Sequence, residues 1–190
     1  ESVQRAWVQS RGPFTLLEVV RVDDAKGVLG RSAARNRGMD ASAAADWHFL
    51  LDADDWADRR AFDLIKPADL ECYAAIFGAV SLDGRIASSN KWPVTRESLF
   101  VHGALGTLAM GCFVRGDLGL RFDETMDVGE DYDFYLRLPN FIKLREPLVH
   151  IGYKAESAGG PRSSRGCDWF AACAAVIERY RLGEEALLLR

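Results

Sequence analysis

A chain of 190 residues that is 48% hydrophobic and 27% charged fits one compact domain with a sizeable core. Its net charge of −4 argues against the basic face or stripe with which proteins grip a phosphate backbone, so nucleic acid is not an expected partner. Cys72, Cys112, Cys167 and Cys173 form no C-x-x-C pair in a chain too long to need disulfide stapling, and no apolar run nears the roughly 20 residues that span a bilayer; reduced thiols in a cytoplasmic protein are the default.

The opening "ESVQRAWVQS" carries Val3, Ala6 and Trp7 at helical spacing and reads as a helix. After a break at Arg11 to Pro13, "FTLLEVVRVDD" is rich in Leu and Val and predicts a buried strand ending at Asp23 and Asp24. A glycine-containing loop leads to "SAARNRGMDASAAAD", helical in composition, with Ser32 a candidate N-cap. The second strand is "WHFLLDADD". Helix, strand, helix, strand is the alternation of an α/β layer with a parallel sheet.

Further along, "RRAFDLIKP" predicts a short helix stopped by Pro67, and "ECYAAIFGAVSLDGRIA" a hairpin turning at Asp83 and Gly84. From Ser88 to Gly106 the mixed polarity fits loop and edge structure. "LAMGCFVRGDLGLRFDE" suggests a strand and turn, "GEDYDFYLRL" a helix, "IKLREPLVHIGY" strand material, and "ESAGGPRSSRG" a flexible tract. In "CDWFAACAAVIERY", Trp169, Phe170, Cys173, Val176, Ile177 and Tyr180 recur at helical spacing. That amphipathic helix packs on the domain or meets a membrane surface or a partner.

Three groups of residues carry chemistry. If the second strand runs on to Asp54, its period of two puts Asp52 and Asp54 on one face, at the carboxyl end where α/β sheets bind ligands. With Asp55 beside them the carboxylates repel one another unless a cation intervenes, and Mg²⁺ takes one or two carboxylates and completes its shell with water and substrate phosphates. A helix cap at Asp54 or Asp55 is the plainer alternative. Glu130, Asp131 and Asp133 open a predicted helix, where acids suit the helix dipole; one of them could equally accept the proton of an attacking hydroxyl. In "GRSAARNRG", Arg31, Arg35 and Arg37 stay solvated on a surface face, or Arg31 or Arg35 and the loop backbone contact a nucleotide or its phosphates, while Asp23 and Asp24 could accept hydrogen bonds from a base or ribose. His150, on an apolar strand, reads as a packed, satisfied residue or as a metal or diphosphate contact.

Taken together, "VVRVDD", "GRSAARNRG", "FLLDADDW" and "GEDYDFYLRL", in this order and spacing, resemble the family 2 glycosyltransferases, inverting enzymes of the GT-A fold. The resemblance covers residues 1 to about 160 and implies a single Rossmann-like α/β domain with a mostly parallel central sheet flanked by helices. Residues 161–190 then form the C-terminal helical segment packed on it. It also implies a nucleotide-diphosphate sugar as donor and Mg²⁺ or Mn²⁺ as cofactor. By this similarity Asp23 or Asp24 faces the nucleobase, Arg31 and Arg35 lie on the donor side, Asp52 faces the ribose and Asp54 or Asp55 the metal. Asp131 is the catalytic base, with Glu130 and Asp133 on the acceptor side. Relatives open with a strand before a helix like "ESVQRAWVQS", so the expectation is a domain without its usual first strand that binds nucleotide poorly on its own.

The implied activity is sugar transfer to an acceptor hydroxyl of a polysaccharide or lipid-linked glycan, in the cytoplasm or at the inner face of its membrane. Arg137 is expected to pair with the acidic helix. The rival readings are a degenerate domain that only binds a saccharide or a partner, and a sugar nucleotidyltransferase, which would need a glycine-rich, arginine-bearing N-terminal loop.

Overall fold

The computed structural model describes residues 1–24, 27–82, 84–86, 94–95, 98–99, 108, 110–152 and 169–188, the side chains of 169, 170 and 181–188 apart. Helix α1 (Ser2–Val8) forms where the helical spacing predicts it: Ala6 is fully buried, and Val3 and Trp7 pack beside it. Residues 14–24 correct the sequence reading, because they belong to no helix or strand. Phe14 and Leu17 pack inward while Leu16 and Val19 are 83% and 55% exposed. An apolar run reads as a strand buried on both faces, but here Phe14 and Leu17 meet the core, and Leu16 and Val19 between and after them stay largely exposed.

Helix α2 (Arg31–Ala41) starts after Gly30, whose φ is 79°, so Ser32 is not its cap. Asp24 sets this boundary: its carboxylate accepts the N–H groups of Leu29 and Gly30, and its carbonyl that of Gly27, which leaves Ser32 buried inside the helix. Strand β1 (Trp47–Leu50) follows, then the short β2 (Trp56–Ala57). Residues 59–64 make successive turns, and Pro67 opens helix α3 (Pro67–Cys72) instead of closing one. Proline has no N–H to lose at a first helical position, and Asp69 accepts the Lys66 N–H at 2.9 Å to cap that end.

The remaining strands are β3 (Ala75–Phe77), β4 (Ser81–Leu82), β5 (Arg85–Ile86), β6 (Cys112–Arg115), β7 (Phe141–Lys143) and β8 (Val149–Ile151). Helices α4 (Glu130–Arg137) and α5 (Trp169–Leu188) complete the described elements. One sheet has the order β1-β6-β3-β7 and the other β2-β8-β4-β5. The α/β class and flanking helices stand, but the sheets are mixed: β6 runs antiparallel to β1 and β3, and β8 antiparallel to β2. Only β3–β7 and β4–β8 are parallel among the described pairs. Periodicity reports which residues are strand, not which way the strand runs, so this lay beyond the sequence.

The period of two splits the core across the first sheet. Ala75, Phe77, Cys112 and Val114 face Met39, the apolar side of α4, and Cys173 and Val176 of α5. Ile76, Phe113 and Phe49 face α1, Phe62 and Ile65. Phe113 stacks on Phe49 at 4.4 Å and on Phe14 at 5.1 Å. Helices α2 and α4 therefore lie on one side of β1, and their N-termini become available to its carboxyl end. The hairpin turning at Asp83 and Gly84 is confirmed at Gly84, whose φ is 80° between β4 and β5. The tract at 156–166 and all but Val94, Thr95, Ser98 and Leu99 of the stretch 88–106 lie outside the described residues. Among the described residues Cys72, Cys112 and Cys173 are free thiols, and no helix is long and apolar enough to cross a membrane.

Candidate functional site

Strand β1 ends at Leu50, and the Asp55 N–H bonds to the Asp52 carbonyl at 3.1 Å, so Asp52 to Asp55 form a turn. The period-of-two argument that put Asp52 and Asp54 on one strand face is thereby corrected. Asp52 instead receives the guanidinium fork of Arg35: Nε and Nη2 reach Oδ1 at 3.1 and 3.0 Å, and Nη2 reaches Oδ2 at 2.8 Å. From its other side Arg35 donates through Nη1 to Glu130 Oε1 at 2.9 Å, with the Phe122 ring 5.2 Å below. Arg31 adds a bond to Glu130 Oε2 at 3.3 Å and one to the Asp127 carbonyl at 2.8 Å.

One arginine thus ties the end of β1 to the first residue of α4. The Arg35 and Glu130 side chains are only 11% and 3% exposed, so this bridge works in a medium where charge attraction is strong and desolvation costly. Burial opposes the Arg35 charge, yet the Asp52 and Glu130 carboxylates outweigh it and raise its pKa. Asn36, one residue on, holds the adjacent loop through Phe122 N–H, the Phe122 carbonyl and Glu124.

Asp131 sits beside Glu130 in the first turn of α4, which Gly129 enters at a φ of 82°. It is half-buried, and its Oδ1 accepts the Tyr132 N–H at 2.8 Å. Burial first, and then the Glu130 charge, push its pKa up, against the pull of that N–H, Arg35 and Arg31. A carboxylate with a raised pKa suits proton acceptance near neutrality better than an ordinary one.

Asp54 is exposed, while Asp55 accepts the Gly152 N–H through Oδ1 at 3.0 Å. A Cβ at Gly152 would stand 2.3 Å from the Asp54 carbonyl oxygen, so β8 can close on this turn only with glycine there. Among the described residues no three His, Cys, Asp or Glu side chains gather as a metal-binding group.

Asp133, Asp24 and His150 are not brought to this group. Asp133 points into the α4–α5 contact, where it accepts from Arg137 at 2.9 Å, Arg179 at 3.4 Å and Tyr180 at 2.9 Å. Asp24 closes its own loop. Asp23 is exposed, as is Arg37. His150 lies in the second sheet, with Nε2 2.8 Å from Asp58 Oδ2, Nδ1 2.7 Å from Ser81 Oγ and its ring stacked on Trp56 at 5.6 Å. It is the satisfied residue of the two readings. Nothing in the sequence pairs His150 with Asp58 or Ser81, and nothing marks Arg35 as the bridge among three arginines.

No family model matches the chain, and no curated protein matches it. Among solved structures, S. aureus TarS 1-349 in complex with UDP-GlcNAc is similar at a TM-score of 0.55 and 18% identity. The match covers 78% of this chain and 46% of that one. The likeness is one of fold. S. aureus TarS 1-349 in complex with UDP also matches, with a TM-score of 0.46 and 19% identity, over 66% of this chain and 40% of that one. The chain therefore spans less than half the length of the TarS chains it matches.

Proposed function

We propose that this chain is part of a family 2 glycosyltransferase, an inverting enzyme that moves a sugar from a nucleotide-diphosphate donor to an acceptor hydroxyl. The observation that carries this reading is the Arg35 bridge, which draws two acidic clusters 78 residues apart, at Asp52 and Glu130, to one place beside Asp131. The fold shared with a protein solved with UDP-GlcNAc supports it.

In this reading Asp131 accepts the acceptor's proton as its oxygen attacks the anomeric carbon. The bond from that carbon to the diphosphate breaks with its electron pair leaving on the diphosphate, so configuration inverts and no covalent sugar-enzyme intermediate forms. Arg35, with both edges of its fork already bound, assembles the site. Arg31, whose side chain is 39% exposed, is the better placed of the two to meet a donor phosphate. Asp23, Asp24 and Asp52 are assigned to the nucleoside end of the donor. Glu130 and Asp133 seat the helix that carries Asp131, and this replaces their assignment to the acceptor.

Asp54 and Asp55 are hard oxygen donors that follow one another in the turn after β1, with Asp54 exposed, and Mg²⁺ needs no more than one or two protein carboxylates when phosphates supply the rest. Bound there, Mg²⁺ or Mn²⁺ would neutralise charge on the departing diphosphate. A polysaccharide or lipid-linked glycan is the proposed acceptor class. The test is calorimetric binding of a panel of nucleotide-diphosphate sugars with Mg²⁺ or Mn²⁺, repeated under chelation and with Asp54→Asn. Binding that needs both metal and Asp54 is expected; affinity equal in all three conditions would displace the metal from this turn.

A further inference from the structure

Asp58, His150 and Ser81 form a hydrogen-bonded chain that the proposed transfer does not use. His150 Nε2 lies 2.8 Å from Asp58 Oδ2 and Nδ1 2.7 Å from Ser81 Oγ. An imidazole that donates to the carboxylate and accepts from the hydroxyl has both nitrogens satisfied, and its ring plane is fixed. On that ring lies the indole of Trp56, stacked at 5.6 Å with 29° between the planes. Trp56, His150, Ser81 and Ile86 stand in register across β2, β8, β4 and β5, so their side chains share one face of the second sheet. Ser81 is fully buried in this row, while Trp56 and Ile86 remain 39% and 57% exposed.

Single exposed apolar residues are ordinary on protein surfaces. Trp56 differs in being both held and placed. Its chain neighbour is Asp55, whose Oδ1 accepts the Gly152 N–H at 3.0 Å. A Cβ at Gly152 would stand 2.3 Å from the Asp54 carbonyl oxygen and 3.5 Å from Trp56 Cζ3, so glycine there lets the benzo edge of the indole close up to the carboxylate turn. A rigid apolar plane beside carboxylates matches one ring chemistry well. A pyranose has a C–H face that gains by leaving water and a rim of hydroxyls that acids can accept from. Because the indole is fixed before a sugar arrives, little ordering cost falls on binding.

We propose that Trp56 is a saccharide-stacking platform: the exposed part of its indole takes the C–H face of a pyranose at the edge of the Asp52–Asp55 turn. The donor's sugar and a sugar of the acceptor share that chemistry. That the ring belongs to a transferred or accepting sugar rests on the transferase reading; the stacking itself does not.

Trp56→Leu keeps an apolar side chain on His150 and removes the plane, and Trp56→Phe keeps a ring. Calorimetry on the full chain with Mg²⁺ compares uridine-, guanosine- and thymidine-diphosphate sugars, each beside its sugar-free diphosphate, with free chito-, cello- and malto-oligosaccharides. Trp56→Leu should weaken sugar-bearing probes about tenfold, the effect of covering roughly 60 Å² of apolar surface, while sugar-free diphosphates bind as to wild type. Trp56→Phe should recover most of the loss. A loss confined to diphosphate sugars assigns the donor's ring, and one confined to oligosaccharides assigns the acceptor's. Oligosaccharide binding that depends on Trp56 while no diphosphate binds upholds the platform and sinks the transferase reading. Diphosphate sugars that bind wild type and Trp56→Leu equally, with oligosaccharides unaffected, overturn the platform and leave the transferase reading standing. A loss shared by sugar-free diphosphates, or no sugar-bearing probe bound by wild type, also overturns it. Should Trp56→Leu not fold, 5-fluorotryptophan in the wild-type chain reports by fluorine NMR, the Trp56 signal being the one absent in Trp56→Phe. A signal that moves with a sugar-bearing probe and not with its sugar-free diphosphate supports the platform, and one unmoved at saturation refutes it.

Discussion

Replacing Glu130 with Gln keeps the side chain's shape and removes the charge that Arg35 and Arg31 share. The Arg35 bond is buried on both sides, and a hydrogen bond to a charged group contributes about 1.5–3 kcal/mol. The Arg31 pair is partly exposed and contributes about 0–1 kcal/mol. Breaking one side of a buried pair costs roughly 3–5 kcal/mol when the partner is stranded, but Arg35 keeps Asp52, so the loss should fall near the lower end, about 2–4 kcal/mol. For a domain of this size each kcal/mol moves Tm by about 2–4 °C, which predicts a drop of about 4–16 °C.

Calorimetry or urea unfolding at neutral pH measures it, and the loss should survive in about 0.5 M salt because the pair is buried. Glu130→Gln should also lower the pKa of Asp131, since the Glu130 charge is one cause of its elevation. A Tm within about a degree of wild type, or a loss that vanishes in salt, would refute the claim that this bridge holds α4 against β1. A double-mutant cycle with Arg35→Met isolates the pair itself and should return a coupling of about 1–3 kcal/mol.

Asp131→Asn should raise Tm at neutral pH. The folded pKa of Asp131 lies above its unfolded value of about 4, so its favourable contribution is full only below that pH and is lost as pH rises through the folded value. The gap between variant and wild type should therefore close on acidification toward pH ~4. Asp133→Asn strips a nearly buried carboxylate from Arg137, Arg179 and Tyr180, at about 3–5 kcal/mol, and hydrogen exchange along α5 should quicken more than exchange in β3. Gly152→Ala places a methyl against the Asp54 carbonyl and forces β8 from the turn, costing about 1–3 kcal/mol and weakening metal-dependent donor binding together.

The helices were readable because their signals are local. Val3, Ala6 and Trp7, the acids after Gly129 and the stripe from Cys173 to Tyr180 each repeat within a turn or two, and the chain folds there as the spacing predicts. The run at residues 14–24 misled because Leu and Val density cannot say whether one face or two is covered. A proline serves a helix start as well as a helix stop, and Pro67 alone does not say which.

At the site, the residue types were readable and the partners were not. Asp52, Arg35 and Glu130 all stood out as charged clusters, yet which bridges which depends on how α2 and α4 pack across the sheet, and that is a property of the core. The latch of Asp58, His150 and Ser81 joins strands β8 and β4 to the residue after β2, far apart in sequence, and carries no spacing to recognise.

The central claim is that Asp131 takes the acceptor's proton, and release of nucleotide diphosphate from a panel of sugar donors tests it most directly. Measured beside donor binding in wild type and Asp131→Asn, the account predicts that the variant binds the donor as wild type does and loses transfer by about 10²–10⁴-fold. Transfer at the wild-type rate in Asp131→Asn would contradict it.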